Sequence, residues 1–156
     1  SLDAEPVGFE TLLRESDVIT IHTPLTPETS GLLDAAAFDT MREATPPADG
    51  SGSDAGPSGT ILVNTARGAV VNREALIDAL ADGTIRSAGL DVLPAEPPPD
   101  DRLTGRGDVV ATPHVAWYSE ASKREVRHKA ATEARRVLRG EGPRYEVSSD
   151  AHADSE

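Results

Sequence analysis

Apolar positions along the chain fall in short blocks that alternate between helical and extended spacing. Phe9, Leu12 and Leu13 mark one face of a short helix that ends before Ser16-Asp17. Val18-Ile19-Thr20-Ile21 follows, β-branched and apolar without strict alternation, which predicts a strand covered on both faces in a parallel sheet and stopped by His22-Thr23-Pro24. A second helix is expected from Asp34 as N-cap, with Leu33 and Phe38 placed as a hydrophobic staple and Met41 continuing the buried face. Residues 60–64 read as a second strand. Asn72 reads as the N-cap of a helix that carries Ala75, Leu76, Ala79 and Leu80 and ends at Gly83. A third strand is expected over residues 87–92, and a short fourth over residues 109–111, cut off by Pro113. The longest helix starts near Ser119, with Ala121, Val126, Ala130, Ala134, Val137 and Leu138 as its packing stripe, and stops at Gly140 and Gly142.

Strands alternating with helices predict an α/β fold with a parallel sheet, whose sites lie at the carboxyl ends of the strands. Polar residues interrupt the apolar pattern at four such ends: His22-Thr23-Pro24, Thr65-Ala66-Arg67-Gly68, Asp91, and Pro113-His114. One of these alone reads as a turn or cap; four on one edge favour a ligand cleft. Residues 44–59 are too rich in Gly, Pro and Ser to bury anything and read as a flexible surface insertion, and residues 143–156 as a tail.

Composition narrows the function. The 156 residues suffice for one core, and with 37% hydrophobic but only 3% aromatic residues that core must be built from Val, Leu, Ile and Ala. The net charge of −12, from 27 acidic and 15 basic side chains, argues against a general binder of nucleic acid or anionic membrane. Only Lys123 and Lys129 are lysines, and an acidic surface that prefers Arg suits a halophilic source, where salt screens self-repulsion. With no cysteine, disulfides and thiol chemistry drop out, which fits a cytoplasmic protein. No apolar run approaches a membrane span, and His22, His114, His128 and His152 lack metal-ligand spacing. The basic residues of the last helix are read as a solvated face rather than a nucleic-acid surface.

Three residues carry candidate chemistry. Arg67, in a Gly-flanked turn beyond a strand, can hold a carboxylate through two parallel hydrogen bonds, or form a surface ion pair. His114 offers proton exchange near neutral pH, or a structural ring. Glu96 can hydrogen-bond that imidazole and hold its tautomer, or simply be solvated. Together they supply what hydride transfer between a nicotinamide and a 2-hydroxy or 2-keto acid requires of a protein.

The segments at residues 16–29, Leu62-Val63-Asn64-Thr65-Ala66-Arg67-Gly68, Gly89-Leu90-Asp91-Val92 and Thr112-Pro113-His114 resemble the D-isomer-specific 2-hydroxyacid dehydrogenases in order, spacing and sequence, over roughly residues 9–140. The resemblance implies a Rossmann-type NAD-binding domain. Arg67 would bind the substrate carboxylate and carbonyl, Glu96 would support His114, and His114 would be the acid/base. Thr23, Pro24, Leu25, Thr29, Thr65, Ala66 and Arg67 would line the cofactor, Asp91 would accept from the nicotinamide carboxamide, and His114 and Ala116 would close that end. The run His114-Val115-Ala116-Trp117-Tyr118-Ser119-Glu120 looks like the C-terminal-binding-protein branch, which places Trp117 beside the substrate pocket or, more plainly, at the base of the last helix.

Two departures from the family pattern stand out. The chain contains neither the Gly-x-Gly-x-x-Gly turn that binds the pyrophosphate nor the acidic residue that binds the ribose, so the choice between NAD and NADP stays open. The chain is therefore expected to be the C-terminal half of a dinucleotide-binding domain, working with a complementing N-terminal half or as a homodimer. Residues 143–156 would be a remnant of the substrate domain. In the strand order 3-2-1-4-5-6, loss of the first unit is expected to strip strand 18–21 of both neighbours. That would leave it about 14 Å from strand 60–64, with three ordered strands remaining. The alternative function is an NAD-responsive binding module resembling the corepressors of that branch, without turnover.

Overall fold

The computed structural model describes residues 4–44 and 59–144. Most of the expected insertion at 44–59 and most of the tail at 143–156 lie outside the described residues. The chain divides into two compact units, residues 1–114 and 115–156. The first unit contains α1 (Phe9–Glu15), β1 (Val18–Ile21), α2 (Ala35–Ala44), β2 (Thr60–Asn64), a single 3-10 turn (Gly68–Val70), α3 (Arg73–Ala81), β3 (Ile85–Leu90) and β4 (Val109–Ala111). The second contains α4 (Glu120–Leu138).

The caps expected from the sequence are in place. Asp34 Oδ1 accepts from the Ala37 amide at 3.0 Å, and Asn72 Oδ1 accepts from the Ala75 amide at 3.1 Å. Gly83 follows α3 with φ 82°, a left-handed turn that a Cβ would strain. Ser119 caps α4 by accepting from the Ser122 amide at 3.0 Å, and Gly140, at φ 76°, follows that helix.

All four strands are parallel and lie in chain order, β1-β2-β3-β4. This corrects the expectation for strand 18–21. Far from standing apart from its neighbour, it pairs directly with β2, Ile19 beside Leu62 and Ile21 beside Asn64. The reason lies in the order itself: in 3-2-1-4-5-6 the run 4-5-6 is wound sequentially, and β1 opens such a run, whereas the expectation puts it in the place of strand 3. β3 also starts earlier than expected, at Ile85, because Thr84 and Ile85 are already buried; Asp91 and Val92 lie beyond its end.

One face of the sheet carries the core. The row Ile19, Leu62, Ala88 and Val109 runs across all four strands in register and is buried throughout. Leu13, Phe38, Met41, Leu76 and Leu80 from the helices join it in one cluster. Each large side chain so buried contributes roughly 1.5–3 kcal/mol. The expectation that β1 is covered on both faces fails: its residues alternate, Ile19 and Ile21 buried, Val18 and Thr20 exposed. β1 is an edge strand among the described residues, and a β-branched run specifies an extended chain without specifying how many faces are covered. The packing stripe expected on α4 is likewise corrected, since none of its residues is buried and Leu138 is 87% exposed. Periodicity marks a face that can pack; burial needs an opposing surface as well.

Candidate functional site

The turn after β2 is organised by Asn64. This residue is 1% exposed, its side-chain amide donates to the Arg67 carbonyl at 3.0 Å, and its Oδ1 accepts from the Ala66 amide at 3.0 Å. The Asn64 carbonyl in turn accepts from the Asp91 amide at 2.9 Å, tying the end of β2 to the end of β3. Arg67 is held in extended backbone geometry with its guanidinium exposed, Nη1 donating to the Ala66 carbonyl at 2.9 Å. Gly68 cannot carry a side chain, because a Cβ there would collide with the backbone of Leu93 and Pro94. The Arg67 turn is thereby pressed against the loop that carries Glu96.

That loop leads to the histidine. Asp91 is buried, accepts from the Thr112 hydroxyl, and through its carbonyl accepts from the His114 amide at 3.0 Å. His114 adopts φ 54°, a left-handed conformation uncommon outside glycine, which departs from the extended backbone of β4. Its Nδ1 lies 3.7 Å from Glu96 Oε2, with the two side chains 50% and 46% exposed. Such a separation makes an ion-pair contact but is too long for a hydrogen bond. Glu96 Oε1 accepts from the Leu93 amide at 3.0 Å.

The loop after β1 is closed by threonines. Thr29 Oγ1 donates to the Pro24 carbonyl at 2.6 Å and accepts from the Thr26 amide at 2.8 Å, while the Thr23 hydroxyl donates to the Pro24 carbonyl at 3.2 Å. The Thr26 hydroxyl also hydrogen-bonds Glu28, holding that carboxyl below the usual range. Pro24 and Leu25 are exposed. Residues 31–33 are bonded to the loop after β2, Gly31 to the Ala69 carbonyl at 2.8 Å and Leu33 to the Val70 carbonyl at 3.1 Å. The segment that leads into α2, the turn after β2 and the end of β3 are therefore linked by backbone hydrogen bonds.

Two ion-pair groups fix the Pro-rich segment after β3. Arg102 is bidentate to Glu74, at 2.7 and 2.8 Å, and its Nε reaches Asp100 at 3.1 Å; Arg73 contacts both Asp100 and Glu74. Hydrogen bonding from Arg102 holds the Glu74 carboxyl below its usual range, and the Arg102 backbone amide does most to lower that of Asp100. Further on, Arg106 is bidentate to Asp108 at 2.7 and 2.8 Å, which lowers the Asp108 carboxyl, and it donates to the Leu80 carbonyl at 3.0 Å.

The structure brings Arg67, Asp91, Glu96 and His114 onto the carboxyl edge of one sheet, together with residues 23–29 and Thr65-Ala66. Ala116 and Trp117 belong to the second unit, where the Trp117 ring meets Tyr118 edge-on at 5.7 Å. Three positioning residues were missed in the sequence: Asn64, Gly68 and Thr112. Asn64 had a signal, since Asn is disfavoured in strands yet closes an apolar β run. Gly68 and Thr112 stood in the motif segments, but their roles could not be read there because the atoms they meet are distant in sequence. Among the described residues no three His, Asp or Glu side chains converge on a metal site.

A parallel sheet wound in chain order, with an arginine, a carboxylate–imidazole contact and a buried aspartate on its carboxyl edge, places these polar residues where open α/β sheets bind their ligands. The chain belongs to the D-isomer specific 2-hydroxyacid dehydrogenase family, matching its NAD binding domain over residues 1–116. It is 42% identical over 117 residues to the glycerate dehydrogenase of Methylorubrum extorquens, covering 73% of this chain and 32% of that protein. It is 42% identical over 120 residues to the D-3-phosphoglycerate dehydrogenase of Archaeoglobus fulgidus, covering 76% of this chain and 19% of that protein. Its fold matches the D-lactate dehydrogenase with NAD+ from Lactobacillus jensenii at a TM-score of 0.73 and 30% identity, over 91% of this chain and 42% of that one. The chain thus spans less than half the length of these relatives. They are dehydrogenases, which does not favour the corepressor-like alternative, and they do not single out the C-terminal-binding-protein branch.

Proposed function

We propose that this chain supplies the catalytic half of an NAD-dependent oxidoreductase that interconverts a D-2-hydroxy acid and its 2-keto acid. The observation that carries the reading is the Glu96–His114 contact at 3.7 Å, set on the same sheet edge as the exposed guanidinium of Arg67. The donor set fits the nicotinamide end of a dinucleotide: the Thr-closed loop with Thr23, Pro24, Leu25 and Thr29, the backbone of Thr65 and Ala66, and the Asp91 carboxylate. Hydride transfer is the chemistry that NAD, held by these residues, would supply.

The protein's own groups handle position and protons. Arg67 holds the substrate carboxylate through parallel hydrogen bonds and fixes which face of the carbonyl is presented. With Nδ1 of His114 facing Glu96, proton exchange with the substrate oxygen falls to Nε2. Glu96 orients the ring and balances its positive charge when it is protonated; the gap between them is expected to close on substrate binding, as catalytic contacts commonly do. Ala116 and Trp117 would bound the nicotinamide and substrate ends, and a ring at Trp117 would limit the acid side chains accepted.

Pyrophosphate binding is assigned to a glycine-rich first half that pairs along β1, whose outer edge is unpaired among the described residues and whose Val18 is 55% exposed. Association as a homodimer is the alternative route to a complete cleft, and NADP the alternative cofactor. The net charge of −12 supports work in a salt-rich cytoplasm.

The test is a titration of NADH fluorescence with this chain in high salt, alone and then with a supplied half containing the glycine-rich turn. A screen of 2-keto acids follows, with His114→Ala as control. Binding and turnover in the mixture, with turnover lost in the variant, are the expected results. NADH binding in neither arm removes the oxidoreductase reading for this chain.

A further inference from the structure

Glu96 stands in an exposed loop, yet the proposed chemistry needs its carboxylate held to within a fraction of an ångström. We infer that Arg73, Glu74, Asp100 and Arg102 form a positioning network, outside the site, that sets Glu96 against His114. The inference rests on the reading of Glu96 and His114 given above.

The mechanical link is in the sequence. Pro97, Pro98 and Pro99 are the only residues between Glu96 and Asp100. Each proline fixes its own φ, so the three together leave few free torsions between Asp100 and Glu96, and where Asp100 is held bears on where Glu96 sits. Asp100 is held from two sides, by Arg73 and by the Nε of Arg102 at 3.1 Å. Arg102 is in turn clamped to Glu74 by two bonds of 2.7 and 2.8 Å. Arg73 and Glu74 are the first two residues of α3, directly after the Asn72 cap, so the anchor is a helix start rather than another loop. Leu103, 3% exposed, plugs the same segment into the core. A lone exposed ion pair contributes little, but here four charges share their partners in a bidentate arrangement, the case in which such contacts act together. The route from this network to the imidazole runs through the proline spacer.

The test reads the His114 ring in the full chain, by nitrogen-resolved NMR of its tautomer ratio at a pH where the imidazole is neutral. Glu96→Gln gives the reference for a ring without its carboxylate. Arg102→Ala and Asp100→Asn should move the ratio in the same direction, by about threefold, the size such a network supports. Arg102→Lys should recover part of the wild-type ratio. Arg106→Ala, which breaks a comparable bidentate pair further along the same segment, should leave the ratio unchanged.

If Glu96→Gln shifts the ring while Arg102→Ala and Asp100→Asn do not, the network is not a positioning device. An equal shift in Arg106→Ala overturns the proposal too, because general loosening of the loop would then suffice. No shift in Glu96→Gln overturns it together with the part given to Glu96 in the mechanism. Failure to bind NADH, by contrast, touches only the oxidoreductase reading and leaves the ring measurement standing.

Discussion

The turn after β2 and the helix α4 contrast in how their sequences become structure. The turn is a few residues long, but Asn64, Gly68 and Asp91 lock it to neighbouring loops by hydrogen bonds and by backbone approach that admits no side chain. The helix is 19 residues long, well capped and periodic, and buries nothing. Regular pattern and structural constraint are therefore separate properties. In this chain the irregular segments at the carboxyl ends of the strands are the constrained ones, and they are where the candidate chemistry sits.

The largest expected effect tests whether function follows that division. In a complex competent for turnover, His114→Ala should lower kcat by about 10²- to 10⁴-fold, the contribution of a positioned general acid or base. Arg127→Ala, on α4, should leave kcat unchanged. Arg67→Ala should raise KM or lower kcat/KM by about 10- to 100-fold, the loss of charged hydrogen bonds to a carboxylate. Equal losses from the helix and turn variants, in steady-state kinetics, would dissolve the contrast.

Next in size is backbone fit. Gly68→Ala places a methyl against the backbone of Leu93 and Pro94, so one of the two loops must move. Overpacking of this kind costs about 1–3 kcal/mol and occasionally more, and urea denaturation should show it as a lower midpoint. Asn64→Ala leaves two part-buried hydrogen bonds unmade and should cost about 1–2 kcal/mol in the same measurement. A neutral Gly68→Ala would mean that the two loops are not in contact in solution.

The same contrast explains what the sequence disclosed. Strands 60–64 and 109–111, the Asp34 and Asn72 caps, the helix start near Ser119 and the Gly83 stop were legible because each depends on residues within a turn or two of one another. The positions of Arg67 and His114 just beyond strands, and of Glu96 in the loop after the third, were legible from the chain order; the roles proposed for them rest on the resemblance. The pairing of β1 with β2 was misread because strand order is a property of the whole winding, which a single β-branched run does not encode. The need for Gly at position 68 was invisible because its cause, the backbone of Leu93, belongs to a different loop on the far side of α3 and β3 in the chain. The exposure of α4 was misread for the converse reason, as its stripe is local and its burial is not.

Acid titration should separate the two regions more finely. The Asp108 carboxyl is lowered by its bond from Arg106, and Glu74 by its bond from Arg102. A depressed carboxylate contributes stability above its unfolded pKa, about 4, and loses that contribution as pH falls through the lower folded value. Arg106→Ala should therefore flatten the fall in stability of the sheet unit below about pH 4. On α4, Glu125 is lowered by Lys129, but this is a fully exposed i,i+4 pair that solvent screens, and Lys129→Ala should leave the acid limb of the titration unchanged.

The smallest effect is expected on the apolar side chains of α4 itself. Val126 and Leu138 are 61% and 87% exposed, so truncation removes almost no buried area. Val126→Ala should leave stability within about 0.5 kcal/mol, or raise it slightly, because alanine is the better helix former. Leu138→Ala, in the last turn, should be neutral within the same margin. Hydrogen exchange at the α4 amides reads this directly, without assuming that both units unfold together. Loss of protection by more than about tenfold in either variant, a full 1.4 kcal/mol or so at the helix, would show that the stripe packs against something in solution. The helix would then join the turn as a constrained element. Unchanged protection in the chain alone, but a loss in the variants once the complementing half is added, would locate the covering surface in that half.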